Sequence, residues 1–174
     1  SMNHRVQKFT KNGKFLSEFG SHGVGNGEFD SPWGITVDEL GDIYVADWRN
    51  DRVQKFSSDG EFIMKFGKSG SANGEFNRPS DVAVDLDGDI YVCDRGNNRV
   101  QMFNAEARYV DKFIGDATLS KAGREYMMTN ASPNRIRDMA VLEPQKRLRL
   151  PRSIAVDDDM RLYTADTGSY RIQI

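Results

Sequence analysis

Carboxylate and guanidinium groups recur in this chain at one fixed spacing. An aspartate precedes an arginine by five residues three times, at Asp47 and Arg52, Asp94 and Arg99, and Asp166 and Arg171. A lone carboxylate of this kind could serve as a general acid or base. Because the pair returns in every copy of a repeating phrase, each copy must need it, and we expect structural turn pairs that fix a corner. No residue is expected to be catalytic.

A second group of residues changes from copy to copy and could therefore serve one particular ligand. Indole rings and guanidinium groups dominate it, which is the composition of many protein-binding patches. The candidate partner-binding residues are Trp33, Trp48, Arg49, Arg78, Arg95 and Arg152. An alternative interpretation is that Trp33 and Trp48 only fill gaps between neighbouring structural units.

These residues sit in a repeat. The phrase "NHRVQKF" at 3–9 returns as "NDRVQKF" at 50–56 and "NNRVQMF" at 97–103, and "SYRIQI" closes the chain. Asn3, Asn50 and Asn97 set a period of 47 residues. A fixed period of this size indicates a stacked or circular array of supersecondary units.

Each unit predicts four short strands. "GITVD" and "DIYVAD" are apolar and β-branched, as buried strands are, and "RVQKF" and "EFIMKF" alternate like strands nearer to solvent. The connections "DELGD", "DLDGD" and "SDG" are typical of tight antiparallel turns. The sequence therefore predicts an all-β fold of four-stranded antiparallel sheets, which arranged around an axis form a β-propeller.

The phrases "NHRVQKF", "PWGITVDELGDIYVAD" and "GEFIMKFG" resemble those of the NHL-repeat family. The resemblance implies blades of a propeller that commonly has six, and functions that include protein binding, RNA binding and sensing. The family also includes an amidating lyase whose zinc is held by three histidines. This chain has only His4 and His22, and its single cysteine, Cys93, stands where other copies have alanine. We therefore expect no metal, no cofactor and no enzymatic activity.

The predicted strands are too few to close a propeller ring. Lettering the strands of a blade A to D, the chain supplies C and D, two complete sets, and then A, B and C, thirteen in all. An open array would expose apolar faces and strand edges. We expect a homodimer that completes a six-bladed ring. The alternative is that the chain is a trimmed part of a larger propeller enzyme or sensor.

One domain, residues 1–174, is expected, with units at 3–49, 50–96 and 97–168 and a terminal strand at 169–174. An insertion at about 116–148, with a short helix near 118–129, emerges on the end that carries the B–C turns and D–A crossings. It could cover that end or brace a partner chain.

The net charge of −2 and the pI near 5.7 give no overall positive field for nucleic acid or anionic membrane. No apolar run is long enough to span a bilayer. The favoured function is a non-catalytic scaffold that binds a protein or peptide through the loops of that end. RNA binding through its arginines and lysines is the alternative, and a purely structural role is the third possibility.

Overall fold

The structure is a computed structural model that describes residues 3–115 and 147–174. Apart from one 3-10 turn at Arg95–Asn97, its regular elements are strands. The strands are β1 (Val6–Phe9), β2 (Phe15–Phe19), β3 (Ser21–His22), β4 (Glu28–Phe29), β5 (Pro32–Val37), β6 (Ile43–Asp47), β7 (Arg52–Phe56), β8 (Phe62–Phe66), β9 (Pro79–Val84), β10 (Ile90–Asp94), β11 (Arg99–Phe103), β12 (Tyr109–Phe113), β13 (Pro151–Val156), β14 (Leu162–Asp166) and β15 (Arg171–Gln173).

The predicted antiparallel blades are confirmed. Strands β5–β8 form one complete four-stranded meander, which we call blade 1, and β9–β12 form another, blade 2. An N-terminal hairpin, β1–β2, supplies strands C and D, and a C-terminal sheet, β13–β15, supplies strands A, B and C. Strands β3 and β4 make a short parallel pair in the first D–A crossing. The predicted helix near 118–129 lies outside the described residues.

The A–B turns form for the same local reason in both blades and in the C-terminal sheet. In blade 1, Asp38 accepts hydrogen bonds from the backbone N–H groups of Leu40 and Asp42, and Gly41 adopts a φ of 86°. Asp85 and Asp157 accept the matching bonds in the other two turns. The leading aspartate therefore fixes the strand register locally, and the left-handed position of the turn is taken by Gly41 and Gly88 in the blades and by Met160 in the C-terminal sheet.

The core lies between blades and around their middle strands. Every residue of β6 and of β10 is buried, as the apolar runs predict. The largest cluster joins Tyr44 and Val53 of blade 1 to Val82, Ile90 and Phe103 of blade 2. Stability therefore depends on neighbouring blades being packed together.

The A strands approach each other most closely. A Cβ atom on Gly34 of β5 would lie only 2.4 Å from the Cα of Asp81 of β9. Asp81 in turn accepts hydrogen bonds from the Oγ of Ser153 and the N–H of Ile154 in β13. The A strands therefore lie on the inner side of the array, where blades converge. No helix among the described residues is long and apolar enough to cross a membrane.

Candidate binding surface on the loop end

A buried polar network holds each B–C corner to the D–A crossing beside it. In blade 1, Asp47 lies at the end of β6 and is fully buried. Its carboxylate accepts hydrogen bonds from the Arg52 Nε at 2.9 Å, the Asn50 Nδ2 at 2.8 Å and the backbone N–H of Asp30 at 2.8 Å. Burial raises the pKa of Asp47, and the hydrogen bonds from Asn50 and Arg52 oppose that rise.

The arginine of this network binds backbone carbonyl groups. The guanidinium of Arg52 donates to the carbonyl oxygens of Val24, Gly25 and Glu28, and the Gln54 Nε2 also donates to Glu28. These bonds anchor the D–A crossing over the corner.

Blade 2 repeats the arrangement. Asp94 accepts from Arg99 at 2.7 Å, from Asn97 and from the N–H of Asn77, and Gln101 donates to the Glu75 carbonyl. In the C-terminal sheet Asp166 accepts from Arg171 at 3.0 Å and from the N–H of Arg149. The three sequence-predicted pairs thus form the same contact in three places, buried in the two blades and partly exposed at Arg171, and they hold the loops in position.

The six candidate partner-binding residues come together in one cluster at this end, which we call the Trp–Arg cluster. The Trp33 and Trp48 rings pack edge to face with centroids 5.3 Å apart. The Cζ atoms of Arg78 and Arg49 lie 4.8 and 5.7 Å from the Trp48 ring centroid. Those of Arg152 and Arg95 lie 5.2 and 5.8 Å from the Trp33 centroid. All four distances fall within the range of cation–π attraction.

Three sheets contribute to the Trp–Arg cluster. Trp33, Ser80 and Arg152 hold equivalent positions at the starts of β5, β9 and β13. Ser80 is small and buried, and its Oγ donates to the Pro151 carbonyl. Arg152 can therefore lie over Trp33 although blade 2 stands between their sheets.

The cluster carries positive charge for which residues 3–115 and 147–174 supply no carboxylate partner. Among the described residues, no carboxylate oxygen lies within 4.0 Å of the guanidinium nitrogens of Arg49, Arg78, Arg95 or Arg152. The part of the chain that the structure describes therefore does not neutralise their positive charge, although the whole chain has a net charge of −2.

Two hydrogen-bond donors of the cluster also have no acceptor. The Trp48 Nε1 and the Arg95 Nε are buried and find no partner among the described groups. A buried donor without an acceptor costs roughly 1–3 kcal/mol. Trp33 is 43% exposed and Arg49, Arg78 and Arg152 are exposed, so an apolar ring and charged donors face outward together. This arrangement suits an anionic ligand that also offers apolar surface.

The fold also gathers three residues that the sequence did not connect. His4, His22 and Asp30 place one potential ligand atom each within 4.8 Å of one another, and the two imidazole centroids are 4.4 Å apart. They come from the N-terminal hairpin and from the first D–A crossing, so no short motif joins them. Aligning the repeats would have placed all three around the same junction.

Cys93 lies away from this surface. It is fully buried in β10, its Sγ is 3.8 Å from the Thr164 Oγ1, and burial raises the pKa of its thiol to about 12. Such a thiol is a core side chain and a poor nucleophile.

Comparison with known proteins agrees with this architecture. The NHL repeat family matches residues 29–56 and 76–103, the segments that contain strands A to C of blades 1 and 2. A comparison with curated protein sequences gave no significant match.

Among solved structures, the chain is similar to a streptogramin B lyase, with a TM-score of 0.61 and 15% identity over 98% of this chain and 44% of that one. It is similar to the virginiamycin B lyase of Staphylococcus aureus, with a TM-score of 0.56 and 16% identity over 98% and 48%. It is also similar to a structural-genomics protein of unknown function from Bacteroides thetaiotaomicron, with a TM-score of 0.66 and 16% identity over 98% and 42%.

The chain therefore spans a little under half the length of these three structures. Identities this low bear on the fold alone. The repeated strand phrases, the antiparallel four-stranded blades and the two family matches lead to one conclusion: this chain contains two NHL repeats, at residues 29–56 and 76–103, and its fold is that of an NHL-type β-propeller.

Proposed function

We propose that this protein is a non-catalytic scaffold that binds an acidic protein or peptide segment on its loop end, through the Trp–Arg cluster. The observation that carries the proposal is the convergence of two indole rings and four guanidinium groups that have no carboxylate partner among the described residues. Guanidinium groups fork onto carboxylates, and indole rings bury apolar surface at low entropic cost.

A non-catalytic role fits the way the buried acids are used. Asp47, Asp94 and Asp166 each bind an arginine and a backbone N–H, so their oxygens hold the corners together. These three carboxylates therefore have a structural role.

The test uses a defined acidic probe. A fluorescent copolymer of glutamate and tyrosine should bind the protein, and Trp48→Ala and Arg78→Ala should each weaken binding by about 30-fold, the size of an interface hot spot. Arg108→Ala is the matched control, because Arg108 is exposed in the C–D turn at the opposite end of blade 2. Equal binding by all three variants and the parent protein would overturn the proposal.

RNA is the second candidate ligand, favoured by the exposed Trp33 ring beside arginines that have no carboxylate partner within the described ranges. Single-stranded poly(U) tests it in parallel. RNA binding should fall steeply with added salt because counterions are released. Peptide binding that depends on the Trp48 ring should persist at higher salt. If neither the acidic copolymer nor poly(U) binds the parent protein, the purely structural role is favoured.

We further propose that two copies assemble into a closed ring. Apolar side chains are exposed at both ends of the array, with Ile35 and Val37 at 51% and 59% on β5 and Ile172 and Ile174 at 71% and 80% in and after β15. A groove of about 470 Å³ also lies beside Trp33 between β1 and β5. A second copy would bury these surfaces.

Light scattering measures this directly. We expect a mass twice the 19.7 kDa of one chain, and a monomer mass for Ile172→Asp. A stable monomer of the parent protein would refute the dimer without touching the ligand proposal.

A further inference from the structure

The junction between the N-terminal hairpin and blade 1 brings together both histidines of the chain. His4 lies two residues before β1, the C strand of the hairpin, His22 ends β3, and Asp30 lies two residues before β5. The Nδ1 of His4 lies 3.7 Å from the Oδ1 of Asp30. His22 is exposed and Asp30 is half-buried, so their side chains have room to adjust.

The repeats show what the fold itself requires of the His4 position. The Nδ1 of His4 accepts a hydrogen bond from the backbone N–H of Ser31 at 3.1 Å. The equivalent Asp51 accepts from the N–H of Arg78, and the equivalent Asn98 accepts from the N–H of Leu150. The scaffold therefore needs a hydrogen-bond acceptor here, which aspartate and asparagine supply equally well.

The other two positions have no need for a metal-ligating side chain. His22 corresponds to Ser69, and both residues take part in a parallel pairing within the crossing. Asp30 corresponds to Asn77, and both donate a backbone N–H to the corner aspartate. Blade 2 keeps only backbone contacts at these positions. The fold therefore does not require the imidazole of His22 or the carboxylate of Asp30.

We propose that His4, His22 and Asp30 form a Zn²⁺ site that links the N-terminal hairpin to blade 1. Two imidazole nitrogens and one carboxylate oxygen are a recurrent zinc ligand set, with a fourth position left to solvent or to a partner. Metal–ligand bonds of roughly 2.0–2.2 Å place tetrahedral ligand atoms about 3.3 Å apart. The 3.7 Å between the Nδ1 of His4 and the Oδ1 of Asp30 is already near that value. To bind the same ion, the side chain of His22 moves toward these two atoms.

Zinc binding has a defined structural cost. The His4 Nδ1 exchanges the Ser31 N–H for the metal, because its lone pair cannot serve both. The ion binds an imidazole through the lone pair of a neutral ring nitrogen. In return the metal closes the junction between two sheets.

The test uses tag-free protein and Zn²⁺ in isothermal titration calorimetry, with Co²⁺ absorption as a report on ligand geometry. We expect one equivalent to bind and the melting temperature to rise. His22→Ser and Asp30→Asn install the residues that blade 2 already tolerates, so they should fold. Each should weaken binding by at least about 100-fold, since loss of an outer-shell partner alone costs roughly 10–100-fold. Glu39→Gln, in an exposed turn, should leave binding unchanged.

A gain-of-site variant tests sufficiency. Combining Asp51→His, Ser69→His and Asn77→Asp transfers the three residues to the next junction, and we expect two equivalents of Zn²⁺. Unchanged binding by His22→Ser and Asp30→Asn would overturn the site. A stoichiometry that stays at one in the transferred variant would show that these three residues are insufficient and would also overturn it.

Discussion

Blade 1 and blade 2 hold their corners with matching side chains but carry different side chains at their rims and turns. Asp47, Asn50, Arg52 and Gln54 make the same contacts in blade 1 that Asp94, Asn97, Arg99 and Gln101 make in blade 2. Positions that agree between the blades are therefore those that any blade of this type requires.

The blades differ where no shared contact depends on the residue. Trp33 and Trp48 of blade 1 correspond to Ser80 and Arg95 of blade 2, and all except Ser80 belong to the Trp–Arg cluster. Near the A–B turn, Lys55 corresponds to Met102. Such differences identify the positions that are open to a particular ligand or to local charge tuning.

The largest effect should come from breaking a feature that both blades share. We expect Asp47→Ala and Asp94→Ala each to lower the free energy of unfolding by about 3–5 kcal/mol, because each leaves a buried arginine without its carboxylate. Urea denaturation measures the change. Asp59→Ala, at an exposed turn, should stay within about 0.5 kcal/mol of the parent. A large loss in one blade and none in the other would contradict the comparison.

An intermediate effect should come from exchanging Lys55 and Met102. The Lys55 Nζ lies 2.9 Å from Asp42, 3.6 Å from Asp38 and 4.9 Å from the Tyr44 ring centroid. Lys55→Met should cost about 1 kcal/mol by removing that cation. Met102→Lys should stabilise blade 2 by a similar or smaller amount, since it places a cation beside Asp85 and Asp89. Thermal unfolding of both variants tests whether the effects have opposite signs.

The same exchange should alter the dependence of stability on pH. Burial, followed by the charges of Asp85 and Asp87, raises the pKa of Asp89. The native state then holds this proton better than the unfolded state does. The resulting stabilisation is complete below the ordinary pKa of aspartate and is lost as pH rises through the raised value. Met102→Lys should lower the pKa of Asp89 and reduce that loss, as urea denaturation at several pH values would show.

The smallest effect should come from Cys93, whose equivalents are Ala46 and Ala165. We expect Cys93→Ala to change the free energy of unfolding by about 1 kcal/mol or less, because alanine already fills this position elsewhere. In the folded parent protein the thiol should react with a disulfide reagent only as fast as the protein unfolds, since its pKa is raised to about 12. Rapid labelling of the native protein would show that the site is open.

The blades were predictable from sequence because their causes are local. Aspartate at each A–B turn, with glycine in blades 1 and 2, fixes the hairpins, and β-branched runs such as "IYVAD" specify buried strands. The five-residue spacing of Asp47 and Arg52 was visible for the same reason. What the sequence could not supply was the distance between blades.

Contacts between sheets depend on how blades pack. Sequence reasoning put Trp33 and Arg152 at the same end, but the approach of Arg152 to Trp33 across blade 2 follows from the small, buried Ser80. The junction of His4, His22 and Asp30 was missed because it joins two sheets, and the three residues share no motif. Both clusters follow from the three-dimensional packing of the sheets and not from any local sequence pattern.

The corner network binds only backbone groups of the D–A crossing that it anchors. Arg52 and Gln54 bind carbonyl oxygens of residues 24–28, and Asp47 binds the N–H of Asp30. Because these bonds use main-chain atoms of the crossing, they do not depend on which side chains stand at its exposed positions. Substitutions of the exposed side chains in such a crossing should therefore cost little folding free energy, so this segment can change what it recognises while the frame beneath it stays the same.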